Sequence, residues 1–351
     1  MDVKFLEYLC NADALAGFEA EVRQLMLKEL KPFSDEVMSD NIGSLVFKKT
    51  GKADGPRILL TAHMDEVGFR VRHICDNGQI FVKPVGVVKQ LTKFYQAVRI
   101  TTNDGKKING ILHSTYTEDE DSKNIPGETY VDIGVSSGDE VNKLGVEVGN
   151  IVCFDSQFKT SGKNIIMGKA FDDRIGCYII GRVLENLKKK KHPNTVYVAA
   201  TSSEETGLRG ARTVSELVKP DVGFAADACC YKDTFDKSAK NTRQIGNGMI
   251  LTHNDRGFEC NAKLYKLCQD EAKKQKLNLQ LDMFESGSTD GANIYINGIG
   301  VPTQVCCVPL RYGHCSYSIA NTKDIEDAVK IITEVICKID DKTAKDFVSF
   351  I

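Results

Sequence analysis

Apolar residues recur at helical spacing along the first part of the chain, from residue 5 to residue 30. The spacing predicts helical structure over residues 5–30 that ends at Pro32, because proline does not continue a helix. Short apolar runs then predict strands at residues 36–38 and 45–48. Residues 57–62 form a continuous apolar run of strand length, which is typical of a strand buried on both faces of a mixed or parallel sheet.

The pattern changes between about residues 71 and 163. Short strand-like runs alternate there with turn signals such as Asp-Asn-Gly, and the runs lie at residues 80–82, 97–101, 108–112 and 151–154. No helical pattern of convincing length occurs in this part of the sequence. It therefore predicts a small all-β module.

Long helical patterns and strand-like runs alternate again after residue 168. Helices are predicted at residues 172–190, 207–218, 256–275 and 323–338, and strands at residues 195–201, 222–226 and 303–308. Such alternation is typical of an α/β sheet covered by helices on both faces. We therefore predict one α/β domain built from residues 1–70 and 164–351, with a β-domain of residues 71–163 inserted in its middle.

The charge of the chain is nearly balanced. Of its 351 residues, 46 are Lys or Arg and 48 are Asp or Glu, so that the formal net charge is -2. This balance argues against nucleic acid or a membrane as a partner, since such binders usually carry basic excess. The first residues lack the apolar run of a signal peptide, and no stretch approaches the ~18 apolar residues of a membrane-spanning helix.

The 12 cysteines are scattered, and none of them forms a Cys-x-x-Cys pair. Zinc ribbons and thioredoxin-like redox sites need that spacing, so neither is supported. We therefore predict reduced packing thiols in a cytoplasmic protein.

Five candidate metal ligands follow apolar strands or stand at the mouth of a helix, where open α/β sheets bind their ligands. They are two histidines and three carboxylates: His63, Asp172, Glu205, Asp227 and His314. Donors of this kind suit two divalent cations that share one carboxylate, and zinc, manganese and cobalt all fit. A two-metal site can hold and activate a water molecule for hydrolysis.

Two neighbours of these ligands suggest supporting roles. Glu204 directly precedes Glu205, and one glutamate of such a pair can bind a cation while the other takes a proton from the attacking water. Asp65 lies two residues after His63 and is placed to hold the second ring nitrogen of that histidine.

Other charged residues have simpler structural interpretations. One aspartate of the pair at residues 172–173 suits a helix cap, and the adjacent Arg174 is placed to stabilise the concentrated charge of the pair. The remaining histidines have no partnered carboxylate in a comparable strand-end context, and we interpret them as structural: His73, His113, His192 and His253.

The chain carries four motifs, Ala-His-Met-Asp-Glu-Val-Gly (62–68), Phe-Asp-Asp-Arg-Ile-Gly (171–176), Ser-Glu-Glu-Thr-Gly-Leu-Arg-Gly-Ala (203–211) and Arg-Tyr-Gly-His (311–314). In this order they resemble the M42 family of metallo-aminopeptidases, which includes the tetrahedral and the glutamyl aminopeptidases. The resemblance runs nearly from end to end. It implies a zinc-peptidase-like mixed sheet flanked by helices, an inserted small PDZ-like β-barrel, and removal of N-terminal residues from peptides.

The resemblance also implies how the five ligands divide between two metal ions. His63 and Asp227 would hold one metal, and Glu205 and His314 would hold the other. Asp172 would bridge the two ions.

Two catalytic roles and an assembly follow from the same resemblance. Glu204 would be the general base, and Asp65 would be the partner that orients His63. The inserted domain would help dimers to assemble into a hollow dodecamer.

Three places depart from the family pattern. Ser318 stands four residues after His314, where the family usually carries a glutamate. Ser44 replaces an asparagine, and residues 287–291 read Gly-Ser-Thr-Asp-Gly where Gly-Gly-Thr-Asp-Ala is usual. All five ligand positions are present, so we expect an active site.

Two other functions are compatible with paired carboxylates. Glycoside hydrolysis also uses two carboxylates, but it needs no histidine ligands, and the chain has no Trp for sugar stacking. A metal-binding relative without catalytic activity would not need Glu204 beside the ligands.

Overall fold

The computed structural model describes residues 1–118, 124–231 and 242–351. The helices are α1 (Val3–Asn11), α2 (Ala20–Leu30), α3 (Gly138–Lys143), α4 (Phe171–Lys188), α5 (Arg209–Val218), α6 (Ala262–Lys274), α7 (Gly291–Tyr295), α8 (Thr322–Ile336) and α9 (Asp341–Phe347). The strands in the first half are β1 (Glu36–Ser39), β2 (Leu45–Thr50), β3 (Arg57–His63), β4 (Gly68–Ile74), β5 (Ile80–Val85), β6 (Gln96–Thr101), β7 (Lys107–Glu118), β8 (Asn124–Asp132) and β9 (Ile151–Phe154). Those in the second half are β10 (Lys159–Ser161), β11 (Ile165–Gly168), β12 (Thr195–Thr201), β13 (Val222–Tyr231), β14 (Met249–Thr252), β15 (Leu279–Asp282), β16 (Thr303–Arg311) and β17 (Ser318–Asn321).

A large mixed sheet forms the centre of the molecule. Its strands follow the order β1-β2-β12-β3-β13-β16-β17-β11-β10, and β14 joins β16 to β15. The middle strands β12, β3, β13 and β16 pair parallel with one another. The strands that follow on either side of these four in the order pair antiparallel. The carboxyl ends of the four parallel strands therefore meet at one edge of the sheet.

Helices cover both faces of this sheet. Along β3, Ile58, Leu60 and Ala62 pack in the core formed with α1, α2, α4 and α8, whereas Leu59 packs against α5 and α7 on the other side. Successive side chains of a strand point to opposite faces, so a strand with apolar residues at every position must be covered twice. The continuous apolar run at residues 57–62 is explained in this way.

A closed antiparallel barrel is inserted between β3 and α4. Its strands follow the order β4-β5-β8-β7-β6-β9, and β9 pairs back with β4. Its core is made of residues such as Phe69, Val98 and Phe154. The expected fold class, a mixed α/β sheet flanked by helices with an inserted β-barrel, is confirmed.

The expected continuous helical pattern over residues 5–30 is wrong in its middle. The chain leaves the helix after α1 and returns at α2. The backbone carbonyls of Ala12 and Ala16 accept hydrogen bonds from Lys169 and Arg70, at 2.7 and 2.6 Å, and Gly17 has φ +81. Tertiary contacts with distant residues thus open a loop within a helical pattern.

The helix predicted at residues 256–275 begins later, at Ala262. Asn261 caps it, because its side chain accepts from the backbone N–H groups of Lys263 and Leu264. The residues before the cap instead form a turn in which the Asp255 carboxylate accepts from the Gly257 N–H at 2.7 Å.

The proposed division into residues 1–70 with 164–351 and residues 71–163 stays a prediction. The barrel strands themselves run from Gly68 to Phe154, and β10 pairs with β11 in the large sheet. All 12 cysteines are free thiols. Among the described residues, no helix combines the length and the apolar character that crossing a membrane requires.

Candidate metal centre

The candidate ligands meet at the carboxyl edge of the parallel strands. His63 is the last residue of β3 and lies opposite Thr201, the last residue of β12. The loop after β12 carries Glu204 and Glu205, and Asp227 lies on β13. The predicted strands at residues 222–226 and 303–308 both extend further, as β13 and β16, so Asp227 lies within its strand rather than after it.

Asp172 lies between the two candidate histidines. The Nε2 atom of His63 is 3.0 Å from its Oδ1 atom, and the Nε2 atom of His314 is 3.1 Å from its Oδ2 atom. The peptide bond between Asp172 and Asp173 is cis. Burial raises the pKa of Asp172, but the hydrogen bonds and charges of the two histidines more than offset it, so that this pKa lies well below its usual range. One carboxylate therefore presents an oxygen to each imidazole, as a bridging ligand would.

The second ring nitrogen of each histidine donates to a backbone carbonyl. The Nδ1 atom of His63 lies 3.0 Å from the Asp65 carbonyl oxygen, and the Nδ1 atom of His314 lies 2.9 Å from the Val87 carbonyl oxygen. A carbonyl oxygen only accepts hydrogen bonds, so Nδ1 carries a proton in both rings. The Nε2 atoms are thus the ones that could bind metal, and each ring is held in the orientation that this requires.

Protonated imidazoles are favoured while no metal ion competes for Nε2. Burial lowers the pKa of His314, but the hydrogen bond and the charge of Asp172, together with the charge of Glu205, raise it to about 9. Burial also lowers the pKa of His63, yet Glu204 and Asp172 hold it well above its ordinary value. In the metal-free protein, the positive charges of the two imidazoles therefore offset part of the negative charge of the surrounding carboxylates.

The two consecutive glutamates approach different histidines. Glu204 Oε2 lies 3.8 Å from His63 Nε2, and Glu205 Oε1 lies 3.4 Å from His314 Nε2. Burial raises the pKa of Glu205 to about 7, with repulsion from Asp172 adding to it and the charge of His314 opposing it. Burial likewise holds the pKa of Glu204 well above its ordinary value.

Asp65 positions this glutamate pair. Its carboxylate accepts from the backbone N–H groups of Glu204 at 2.9 Å and of Glu205 at 3.2 Å. The Asp65 carboxylate also lies 3.5 Å from His63 Nδ1, whereas the Asp65 carbonyl oxygen is closer to that atom, at 3.0 Å. Asp65 thus contacts both sides of the site, through its backbone and its side chain.

Asp173 supports the backbone around the site. Its carboxylate accepts from the N–H of Gly176, the sixth residue of α4, at 2.9 Å, and from the N–H of His63, at 3.1 Å. Asp172 and Asp173 have non-helical backbone angles, so the regular part of α4 begins after them, and Asp173 is the aspartate of the pair that caps it. Its ligand atoms also lie within 4.8 Å of those of His63 and Asp227.

The residues present fit two divalent cations. Groups of potential ligand atoms within 4.8 Å of one another include His63 with Asp173 and Asp227, and Asp172 with Glu205 and His314. Glu205 Oε1 is buried and has no hydrogen-bond partner among the described residues, which leaves it available to a cation. Several buried acids share this small space, and such a cluster is costly unless it is neutralised by metal or by protons.

Glu66, Lys169 and Arg174 form an ion cluster beside the ligands that sequence reasoning missed. Arg174 does not stabilise the aspartate pair as expected; it donates to the Met64 carbonyl at 2.8 Å and to Glu66 at 3.0 Å. Lys169 binds the same glutamate. Glu66 and Arg174 lie within two of the four motifs and Lys169 lies two residues before the second, and that nearness to the ligands was the available signal.

Among the hydrogen bonds of the described residues, none joins the Ser318 side chain to His314. Its hydroxyl donates instead to the Tyr312 carbonyl at 3.1 Å. The Val87 carbonyl, which belongs to the loop after β5, is the partner of His314 Nδ1. No sequence signal could reveal this contact, because every residue has a backbone carbonyl.

A cleft of about 940 Å³ opens above the candidate ligands. Besides all five of them and Glu204, its walls include Lys89, Arg243, Phe284 and Glu285. Arg243 pairs with Asp282 and stacks on Phe284, with its Cζ atom 4.8 Å from the ring centre. The volume is large enough for the end of a peptide.

Comparison with known proteins identifies relatives of the whole chain. The sequence profile of the M42 glutamyl aminopeptidase family matches residues 43–331. The lysyl aminopeptidase of Pyrococcus furiosus is 30% identical over 338 residues, which cover 94% of this chain and 95% of that protein.

Solved structures agree with this fold. The TET aminopeptidase of the marine sediment archaeon Thaumarchaeota archaeon SCGC AB-539-E09 superimposes with a TM-score of 0.94 at 33% identity, covering 98% of this chain and 99% of that chain. A structure named as an endoglucanase of Thermotoga maritima superimposes with a TM-score of 0.79 at 26% identity, covering 97% of this chain and 99% of that chain.

Proposed function

The chain belongs to the M42 glutamyl aminopeptidase family and is a hydrolase that acts on peptide bonds, and we propose that it removes N-terminal residues from peptides with two divalent cations bound around Asp172. The observation that carries this proposal is the position of Asp172. Its two oxygens face the Nε2 atoms of His63 and His314, each of which is oriented by a carbonyl.

We assign the ligands as the family resemblance implies. His63 and Asp227 would hold one ion, Glu205 and His314 the other, with Asp172 shared between them. Zinc, cobalt and manganese all accept this set of nitrogen and oxygen donors. Bound there, such cations supply polarisation of the scissile carbonyl and a lowered pKa of water.

Glu204 is the general base in this proposal. Its carboxylate lies at the wall of the cleft, 3.8 Å from His63 Nε2, and the Asp65 carboxylate fixes its backbone N–H. Glu204 takes a proton from the attacking water and returns it to the leaving amine. The carboxylates around it favour a substrate that brings a positive charge, as the free N-terminus of a peptide does.

An assay on aminoacyl anilides tests this function. Protein stripped of metal and then given zinc, cobalt or manganese should release aniline from at least part of a panel of N-terminal residues. The panel also determines which N-terminal residue is preferred. Family membership does not settle this preference, since the family is that of the glutamyl aminopeptidases and one relative is a lysyl aminopeptidase. Failure on every anilide with every metal, together with release of reducing sugar from β-glucan, would favour the glycoside hydrolase. Two bound ions with no turnover on any substrate would favour a non-catalytic relative.

We also propose that the inserted segment of residues 71–163, which carries most of the barrel, joins subunits into dimers that assemble to a dodecamer. Large apolar side chains on its surface support this, for example Leu91 at 87% and Tyr95 at 82% exposure. The 12 free thiols support a reducing compartment such as the cytoplasm. A mass in solution close to 38.8 kDa, that of one chain, would contradict the assembly.

A further inference from the structure

A short segment of the barrel contacts one half of the candidate metal centre. Residues 86–89, here called the barrel loop, connect β5 to the 3₁₀ turn Gln90–Lys93. The Val87 carbonyl accepts from His314 Nδ1 at 2.9 Å, and the Lys89 N–H donates to the His314 carbonyl at 3.3 Å. The loop therefore holds His314 by its ring and by its backbone.

The same loop lies against Glu205, the other ligand of this half. A Cβ atom on Gly86 would come within 3.1 Å of Glu205 Oε2, 3.3 Å of Glu205 Cβ and 2.8 Å of Val67 Cγ1. Gly86 also has φ +71, which side chains rarely adopt. Only glycine lets the loop approach this closely.

His314 needs support from outside its own segment. It has φ +59 and Tyr312 has φ +61, so two residues of the turn that carries the ligand are in the left-handed region without being glycine. Such conformations persist when surrounding contacts enforce them. Among the described residues, the partner of His314 Nδ1 is the Val87 carbonyl, because Ser318 binds the Tyr312 carbonyl instead.

We propose that the barrel loop is a positioning element for the cation held by His314 and Glu205. The Val87 carbonyl keeps the proton of His314 on Nδ1 and leaves Nε2 for the metal, and Gly86 limits where the Glu205 carboxylate can lie. This inference rests on the two-metal site proposed above. It makes the barrel a part of the metal centre, in addition to any role in assembly.

A pair of glycine variants tests the proposal. Gly86→Ala adds a methyl group between the loop and Glu205. Gly134→Ala makes the same change in the barrel at φ +81, where no atom lies within 4 Å of the added carbon. Metal affinity is measured by titration with cobalt, whose visible spectrum also reports the coordination geometry. The Gly134→Ala protein should bind two ions as the unchanged protein does.

Gly86→Ala should bind one of the two ions about 10–100-fold more weakly, as expected when the partner that orients a ligand is disturbed, and should change the cobalt spectrum. Equal affinities and spectra for both variants would overturn the proposal. If the unchanged protein binds fewer than two ions, the two-metal function fails. If it binds two ions but cleaves no peptide, the peptidase function fails and the positioning role stands.

A structure of the unchanged protein loaded with zinc gives a second test that does not depend on a variant folding. Zinc should bind His314 through Nε2, with Nδ1 still within hydrogen-bond distance of the Val87 carbonyl. Zinc bound through Nδ1, or a barrel loop withdrawn from His314, would overturn the proposal.

Discussion

Lys169 donates to both carboxylate oxygens of Glu66, at 2.7 and 2.9 Å, and the two side chains are only 1% and 2% exposed. Lys169 also donates to the Ala12 carbonyl and lies 3.2 Å from Asp13, which in turn binds Arg99 on the barrel strand β6. One cluster of buried charges therefore joins the loop after His63, the segment before Asp172 and the barrel. It fixes the relative positions of the elements that carry the ligands.

Removing the charge of Lys169 should cost the fold far more than removing an exposed lysine. Lys169→Met leaves Glu66 and Asp13 buried with fewer partners, so we expect a loss of about 3–5 kcal/mol in the free energy of unfolding. Lys52, whose pair with Asp341 is exposed, is the matched control, and Lys52→Met should leave the free energy of unfolding nearly unchanged, because water screens this pair. Urea unfolding measures both. Similar losses for the two variants would show that the cluster does not stabilise the fold.

Replacing the proposed base should separate catalysis from metal binding. Glu204→Gln keeps the shape of the side chain but cannot take a proton, so we expect kcat to fall by about 10²–10⁴. The five ligands are untouched, and the metal content after dialysis should stay that of the unchanged protein. Glu216→Gln, on the surface of α5, should alter neither quantity. Normal turnover by Glu204→Gln would refute its role as base.

Asp172 should be needed for metal binding as a whole. Asp172→Asn removes the charge that faces both imidazoles. Loss of a residue that only orients a metal ligand typically weakens metal binding by ~10–100-fold, and we expect the affinity for both ions to fall by more than that, because Asp172 is itself a proposed ligand. The measurement is metal content by mass spectrometry after dialysis against a weak chelator. Asp346→Asn, an exposed aspartate on α9, should retain both ions. Retention of both ions by Asp172→Asn would contradict a bridging role.

The metal-free protein should lose stability as the pH rises. The pKa of Glu205 is raised from 4.5 to about 7 and that of His314 from 6.5 to about 9, so the folded protein binds protons more tightly than the unfolded chain. The stabilisation is complete below the two unfolded values and is lost as the pH passes through about 7 and then about 9. Thermal unfolding of chelator-treated protein at pH 5, 7 and 9 measures this loss.

Bound metal should reverse the dependence of stability on pH, because the ligands bind cations only after losing their protons. Zinc should therefore stabilise the protein more at pH 8 than at pH 6, and its binding should release protons. His314→Gln should remove the part of the metal-free pH dependence between about 6.5 and 9. A flat profile for chelator-treated protein would contradict the raised pKa values.

Much of the fold follows from local patterns in the sequence. The apolar run at residues 57–62 predicts a strand covered on both faces, and the structure confirms it as β3 between two helical layers. The alternation of helices and strands likewise predicts the mixed sheet. The helical pattern of residues 5–30 misleads, because buried Lys169 and Arg174 draw the Ala12 carbonyl out of the helix. Side-chain partners so far away in the chain leave no periodic signal.

The sequence by itself determined which residues gather at the edge of the sheet. His63 and Asp227 belong to parallel strands, and parallel strands bring their carboxyl ends together, so patterns that predict the strands also predict the cluster. Only the tertiary structure decided how the cluster is oriented. The Val87 carbonyl holds His314 Nδ1, and Gly86 lies so close to Glu205 that a Cβ atom there would come within 3.1 Å of Glu205 Oε2. A backbone carbonyl has no signature in the sequence, and a glycine in the sequence does not indicate which distant residue it approaches. Long-range packing of the barrel against the sheet brings them to the metal centre.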